Sequence, residues 1–468
     1  MIHKLSLLRM SFRILCLCAS LGALAGMEMI SYGAEAKVSF SKEVLPLFRQ
    51  SCTGCHQPSK TKGGFDLTTY PSVMKSGKHA PLILPSDPKA SPLLKEISGT
   101  EPSMPEEGEP LTSAEVKLIT RWIAEGAHDD TPPGGLVHRL TSPPVYPALP
   151  ATTALAWSLD GNILAVAGWH EVVLHGGTNS GIVARLVGDS PRIESIAFSP
   201  DGIQLAVSGG AHSQYGEIQI WNTKTYTLTR SIKTTSDVVF GVSWSPDGKR
   251  IAVGCADKMV RVFEVADGKE SMKCDNHIDW VFATTWSHDG TKLVSAGRDR
   301  SLKLIDVASG HLIDDVNRQG EPLVCLARHP TENLVVCGSD KGSPRVYKME
   351  PRGGRLAEGD DKENSFVREL HRLSGSVQSL AWSADGKWIA AGSTGGEIVI
   401  FNAADGNRKA TLKWTGGPVF ALSFRSSSPV LAVGGSDGRI RLFDYITEKL
   451  LREFDAVPLA ERASIKNR

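Results

Sequence analysis

Cys52-Thr53-Gly54-Cys55-His56 is the stretch whose residue types and spacing point most directly to chemistry. Two thiols three positions apart on a helical turn reach the two vinyl groups on one edge of a porphyrin and form thioethers. The adjacent imidazole is then carried under the ring, where it can bond the iron as proximal ligand; C-x-x-C-H is the haem c attachment signature. Three other readings compete. A zinc ribbon needs a second ligand pair at similar spacing, and the next cysteine is Cys255. A thioredoxin-like pair needs a βαβ context, which the flanking sequence does not show. A local disulfide loop with a chance histidine is the plainest of the three.

An iron bonded from one side leaves a sixth position on the other. Met104 is the candidate, in Pro102-Ser103-Met104-Pro105. Prolines on both sides favour extended backbone, so a thioether can enter a crevice without belonging to a helix. Such a ligand favours ferrous iron and raises the potential. Met74, His79 or an open position are the alternatives. Met74 falls on a short helix after Pro71 and reads as core, and His79 would lower the potential. Trp122 packs either on the haem edge or in an ordinary core.

Residues 37–128 have to position these groups. Ser41 is expected to cap a helix running toward Cys52, with Val44, Leu45, Leu47 and Phe48 as its apolar face. Pro46 lacks an N–H and fits best in a first turn, so that helix starts late or is kinked. A clearer helix is expected over 113–124. Thr112 is an N-cap with Glu115 three residues on, as in a capping box. Val116, Ile119, Trp122 and Ile123 share a face, and Gly126 suits the end.

The chain has 468 residues, enough for two or three domains. Lys plus Arg (52) nearly cancels Asp plus Glu (51), so charge gives no sign of a nucleic-acid or membrane-surface binder. At the N-terminus, Lys4, Arg9 and Arg13 precede an apolar run from Ile14 to Ala25, well under the roughly 20 residues that span a bilayer. Ala34-Glu35-Ala36 then reads as a cleavage site, with Ala23-Leu24-Ala25 as an earlier one. Residues 1–36 are thus expected to be an export signal, an uncleaved anchor being the alternative. The mature chain is expected outside the cytoplasm, without a membrane span. That compartment permits disulfides. Cys325 and Cys337 fall on neighbouring strands, but Cys255, Cys274, Cys325 and Cys337 read better as buried small hydrophobes.

Residues 129–150 hold six prolines and two adjacent glycines, a stiff linker composition. Beyond them one pattern recurs: apolar strand, Trp/Phe-Ser-x-Asp-Gly, apolar strand. It occurs at Trp157–Gly161, Phe198–Gly202, Trp244–Gly248, Trp286–Gly290 and Trp382–Gly386, with degenerate copies at Ala327-Arg328-His329-Pro330 and Ser423-Phe424-Arg425-Ser426. Asp-Gly supplies the positive φ of a tight hairpin. A third strand then ends in an aromatic-polar pair: Trp221-Asn222, Phe263-Glu264, Phe401-Asn402 or Phe443-Asp444. Asp257, Asp299, Asp340 and Asp437 sit in the turns before it. The period of about 42 residues matches a four-stranded propeller blade, and seven copies predict seven blades. Leu450 to Phe454 can supply the last outer strand, which makes an N-terminal closing strand unnecessary. Residues 350–364 read as a solvated loop inserted in blade five.

From about residue 151 to 456 the chain resembles WD40 proteins. It departs from them in lacking a true Trp-Asp pair and in showing the Gly-His pair only as Asn276-His277 before Asp279. From Ser41 to Ala127 it resembles the small cytochrome c domains of Planctomycetes. Cys52, Cys55, His56, Gly63-Gly64-Phe65-Asp66-Leu67, Met104-Pro105 and Trp122-Ile123-x-x-Gly126-Ala127 carry that resemblance, and the family's usual Met-Pro-Pro reads Met104-Pro105-Glu106 here. The two resemblances imply a multidomain fold. An export signal (1–36) precedes a small all-α class I cytochrome c-like domain (37–128). A Pro-rich linker (129–150), an all-β seven-bladed WD40 propeller (151–456) and a tail (457–468) follow.

They also imply one covalent haem c, attached at Cys52 and Cys55 with His56 and Met104 as axial ligands, and electron transfer. The expected partners are a redox protein and a second protein docked on the propeller, whose broad faces suit docking. The chain then needs no substrate site of its own and reads as an electron carrier rather than an enzyme. One alternative is an oxidoreductase with a second cofactor on the propeller axis, resembling haem d1 nitrite reductases and quinoprotein dehydrogenases. Those rings have eight blades, and the propeller histidines here are scattered. Another is a haem-based sensor or scaffold, which an open sixth position would favour.

Overall fold

The computed structural model describes residues 37–53, 55–57, 60–75, 81–106, 109–131, 142–317, 320–351 and 365–460. The expected export signal, His79 and residues 352–364 of the blade-five loop lie outside the described residues.

The first helical segment starts two residues earlier than its sequence suggests. Ser39, not Ser41, caps it, accepting from Lys42 N–H at 3.0 Å. Ser41 is buried, and its own N–H donates to Asp130 at 2.7 Å. A π-helical turn, Phe40–Val44, runs into helix α1, Leu45–Ser51. The wide turn buries both Phe40 and Val44, and Pro46 occupies the first turn of α1, where its missing N–H costs nothing. Helices α2 (Tyr70–Met74) and α3 (Pro92–Ile97) are short. Helix α4, Ser113–Ala124, has the expected capping box: Glu115 N–H donates to Thr112 Oγ1 at 3.3 Å and Thr112 N–H to Glu115 Oε2 at 2.7 Å. It ends at Gly126, with φ +102°.

One apolar cluster, from Val38 to Ala127, holds this domain together. Trp122 is its centre and 1% exposed. Phe40 stacks on it at 5.2 Å, and its indole donates to His128 O at 3.1 Å. Its role is therefore core packing. Val38 N–H donates to Glu125 at 2.7 Å, which ties the start of the domain to its last helix.

From Leu155 to Asp455 the chain forms seven blades of four antiparallel strands among the described residues. Blades three to seven are separate sheets. Blades one and two merge because the long strand Ile182–Phe198 is the outer strand of one and the inner strand of the next. The Ser-x-Asp-Gly turns share one construction. In blade four, Ser287 Oγ donates to Asp289 Oδ1 at 2.6 Å, the carboxylate accepts from Thr291 N–H at 3.0 Å, and Gly290 takes φ +70°. In the degenerate turn of blade five, His329 Nδ1 accepts from Thr331 and Glu332 N–H groups at 3.3 and 3.0 Å.

Each blade shares an apolar cluster with the next, and the seventh cluster joins blade seven to blade one. The motif tryptophans add a staple. Trp244, Trp286 and Trp382 each donate their indole N–H to the preceding blade, at 2.9, 3.2 and 3.2 Å. Trp157, at the seam between blades seven and one, has no such partner. Blade seven takes its outer strand, Lys449–Asp455, from the C-terminal side as expected. The seam is closed instead from the proline-rich stretch. Tyr146 is buried there, its phenol donates to Glu171 Oε1 at 2.8 Å, and Arg185 grips that carboxylate with two 2.7 Å bonds. Arg185 also donates to Pro144 O at 2.7 Å, and Tyr146 bridges to Leu459 in parallel. Residues 144–150 thus belong to the packing of the ring.

A WD-type polar network survives in one blade. His277 bonds Asp299 at 2.9 Å and Ser295 Oγ at 2.7 Å. Two other turn aspartates pair with arginine four residues on, Asp257 with Arg261 at 2.6 Å and Asp437 with Arg441 at 2.8 Å. Cys325 is a free thiol, so the conceivable bridge to Cys337 is not formed, and Cys255, Cys274 and Cys337 are buried. No helix among the described residues is long and apolar enough to cross a membrane.

Candidate haem-attachment site

The turn at 52–56 grows out of the end of α1. Cys52 N–H donates to Phe48 O at 2.8 Å, which continues the helical pattern for one residue. Cys55 and His56 N–H groups then both donate to Cys52 O at 3.1 Å. The two cysteines therefore share one turn, the geometry that double thioether attachment needs. Both are half-exposed, and Cys52 packs at the margin of the core. Burial pushes the Cys52 thiol up to about 11, so it stays protonated near neutral pH.

After this turn the backbone straightens. His56–Gln57 pairs antiparallel with Lys60–Thr61, a two-residue hairpin within the helical domain. The hairpin returns the chain to the imidazole. His56 Nδ1 lies 2.9 Å from Lys62 O, so Nδ1 carries the proton and donates. No described residue bonds Nε2, which is left with its lone pair for a metal. A backbone carbonyl on the far nitrogen fixes the tautomer and ring orientation of a metal-binding histidine and raises its basicity. The Gly63-Gly64 pair makes the return possible: Gly63 sits at φ +67°, and a Cβ there would come 3.2 Å from the Phe65 ring. Phe65 meets His56 edge-on at 6.4 Å between centroids.

Met104 is half-buried at the margin of the same core. Its N–H donates to Glu96 O at 2.9 Å, near the end of α3. Two residues on, Glu106 pairs with Lys62, the residue whose carbonyl holds His56. The Met104 segment is thereby brought beside the His56 loop. Met74 also lies at the core margin, at the end of α2. Cys52, Phe65, Met74 and Met104 together leave a half-covered apolar margin around a half-exposed, pre-oriented imidazole. These residues fit a covalently held haem, whose flat apolar faces would cover them.

Sequence reasoning singled out Cys52, Cys55, His56 and Met104 as candidates but gave no role to Lys62 or Glu106. The only available signal was Glu106 standing where the resembled family has proline. In the propeller, a cavity of about 1300 Å³ is lined by Trp169, Phe240, Trp280, Phe282, Arg192 and Arg298 among others. Of the propeller histidines only His212 lines it among the described residues. His175 and His277 are buried and bonded to neighbouring groups.

Comparison with known proteins agrees with this division. A family model described as planctomycete cytochrome C matches residues 52–108. One described as WD domain, G-beta repeat matches 224–264, 268–306, 365–402 and 406–444. The three inner strands of blades one, two and five fall outside those four matches, and blade five is the one whose turn is built on His329. Among curated relatives, an intraflagellar transport protein 122 homolog of Danio rerio is 22% identical over 242 residues, 52% of this chain and 14% of that protein. Coronin-7 of Bos taurus is 32% identical over 135 residues, 26% of this chain and 14% of that protein. The WD repeat-containing protein VIP3 of Arabidopsis thaliana is 30% identical over 108 residues, 20% of this chain and 33% of that protein. The chain spans at most a third of the length of each of these relatives. With the 52–56 turn and the seven-bladed ring, the two matched families identify the chain as a planctomycete-type cytochrome c domain fused to a WD40-repeat β-propeller.

Proposed function

We propose that this protein is an exported c-type cytochrome that carries one covalent haem c and acts in electron transfer, with its propeller as a docking platform for a partner protein. The observation that supports this most is the bond from His56 Nδ1 to Lys62 O at 2.9 Å, inside a Cys-x-x-Cys-His turn. It prepares Nε2 to bind iron before any iron arrives, and a surface disulfide loop has no need of it.

Bound haem supplies one-electron chemistry. The chain's own residues hold it and shape its surroundings. Cys52 and Cys55 would hold the haem through two thioethers, each S–H adding across a vinyl group with nothing released. His56 would offer its Nε2 to the iron, and Met104 would offer a thioether that favours the reduced state. Phe65 and the core margin exclude water from the edge of the site. Outer-sphere transfer to a docked redox protein then needs no catalytic residue. Export follows from the basic, apolar and small-residue sequence of residues 1–36, and covalent attachment suits a cofactor used where lost haem cannot be recovered.

The test is co-expression with haem c maturation machinery, followed by denaturing electrophoresis and haem staining. The wild-type chain gives a stained band. The Cys52→Ser, Cys55→Ser double variant gives none, and a band of undiminished strength in that variant would refute attachment at this turn.

A further inference from the structure

The loop holding His56 and the segment holding Met104 are joined through a single residue. Lys62 accepts from His56 Nδ1 through its backbone oxygen, while its ammonium pairs with the Glu106 carboxylate. Glu106 is separated from Met104 by Pro105 alone. Proline fixes φ and removes one soft dihedral, so a displacement of Glu106 passes to Met104 instead of being absorbed between them. On its other side the segment is held at Glu96, whose carbonyl accepts from Met104 N–H at 2.9 Å and from Ser103 Oγ at 3.2 Å.

We infer that the Lys62–Glu106 pair is a tether that positions Met104 as sixth ligand and couples it to the loop orienting His56. This rests on the reading of 52–106 as a haem site and adds residues that the reading does not require. Lys62 and Glu106 are positioning residues that act through Met104. With the tether intact, the Met104 segment is anchored on both sides. Without it, the segment loses its link to the His56 loop, and the methionine leaves the iron more often. Both side chains are about half exposed, 48% and 56%. An exposed pair of this kind shifts an equilibrium by about fivefold at most, so the effect concerns ligand occupancy and not whether the domain folds.

The experiment measures binding of added imidazole to the ferric holoprotein at constant pH, together with the weak methionine-to-iron absorption band. Imidazole must displace Met104, so its apparent affinity reports how firmly the methionine is held. Lys62→Gln and Glu106→Gln should each raise that affinity by up to about fivefold and weaken the band. The exchanged pair Lys62→Glu, Glu106→Lys should restore both toward wild type. Every variant keeps the backbone carbonyl at position 62, so covalent haem content should not change. Raising ionic strength should mimic the single variants in the wild-type protein and do little to Glu106→Gln, a readout that needs no substitution. Unchanged imidazole affinity across all variants and salt concentrations, with haem attached, would overturn the tether. A wild-type chain that takes up no haem would instead overturn the reading beneath it.

Discussion

The two halves of this chain secure their structure in opposite ways. The propeller is redundant. Seven blades repeat one turn, one strand pattern and one kind of shared apolar cluster. A lost element is replaced nearby, as His329 does for the missing serine and aspartate of blade five, and as Arg261 and Arg441 do where histidine networks are absent. The cytochrome c domain repeats nothing. It has one core, one cysteine pair and one histidine whose orientation depends on one carbonyl. Sequence decay is therefore tolerated in the ring, while in the small domain single atoms decide whether the proposed chemistry exists.

Within the ring, one place should behave like the small domain. Among the described residues, the seam between blades seven and one combines an unbonded motif tryptophan, Trp157, with an ion pair whose carboxylate, Glu171, is fully buried against Arg185. Glu171→Gln leaves the Arg185 cation without its carboxylate and Tyr146 with a weaker acceptor. It should destabilise the propeller by about 3 kcal/mol, measured by urea unfolding. A loss under about 0.5 kcal/mol would mean that the seam is as redundant as the rest.

An ordinary blade turn should cost less. Asp289→Asn removes a carboxylate that accepts from Ser287 and Thr291, but the turn is exposed and repeated elsewhere. The expected loss is about 1 kcal/mol, and a loss equal to that of Glu171→Gln would erase the contrast between seam and blade.

The same turns predict the acid response. Hydrogen bonds from serine and backbone hold Asp289 at about 2, below the ordinary carboxylate value. Asp160, Asp201 and Asp247 are lowered mainly by their serine bonds, and Asp385 is lowered against its own burial. A folded-state value below the unfolded one gives stability that is full above about pH 4 and lost as pH falls toward 2. The ring should weaken in that window, and Asp289→Asn should lose slightly less stability there than wild type. An identical acid profile for the two proteins would remove these carboxylates from the account.

Much of this was legible in the sequence because it is written in local patterns. The turn at 52–56, the capping box at Thr112 and the Ser-x-Asp-Gly repeats each need only a few adjacent residues, and each is built as the spacing implies. What stayed hidden depends on contacts distant in sequence. The Ser39 cap displaced Ser41 because burying Phe40 decided where the first turn began. Tyr146 looked like one residue of a linker, and only folding brings it against Glu171 and Leu459 to close the ring. Lys62 was one lysine among many until the hairpin at 56–61 set its carbonyl on His56 and its ammonium on Glu106. Pairings of that kind leave no periodic trace.

The central claim is that Cys52, Cys55, His56 and Met104 hold one haem. Its most direct test is the absorption spectrum of the full chain produced with haem c maturation machinery, compared with Met104→Ala. The account predicts a coloured protein with a low-spin c-type spectrum in the wild type. The methionine-to-iron band should be present there and absent from the variant, in which haem remains attached. A colourless wild-type protein would contradict the whole site, and a coloured variant with an unchanged band would remove Met104 from it.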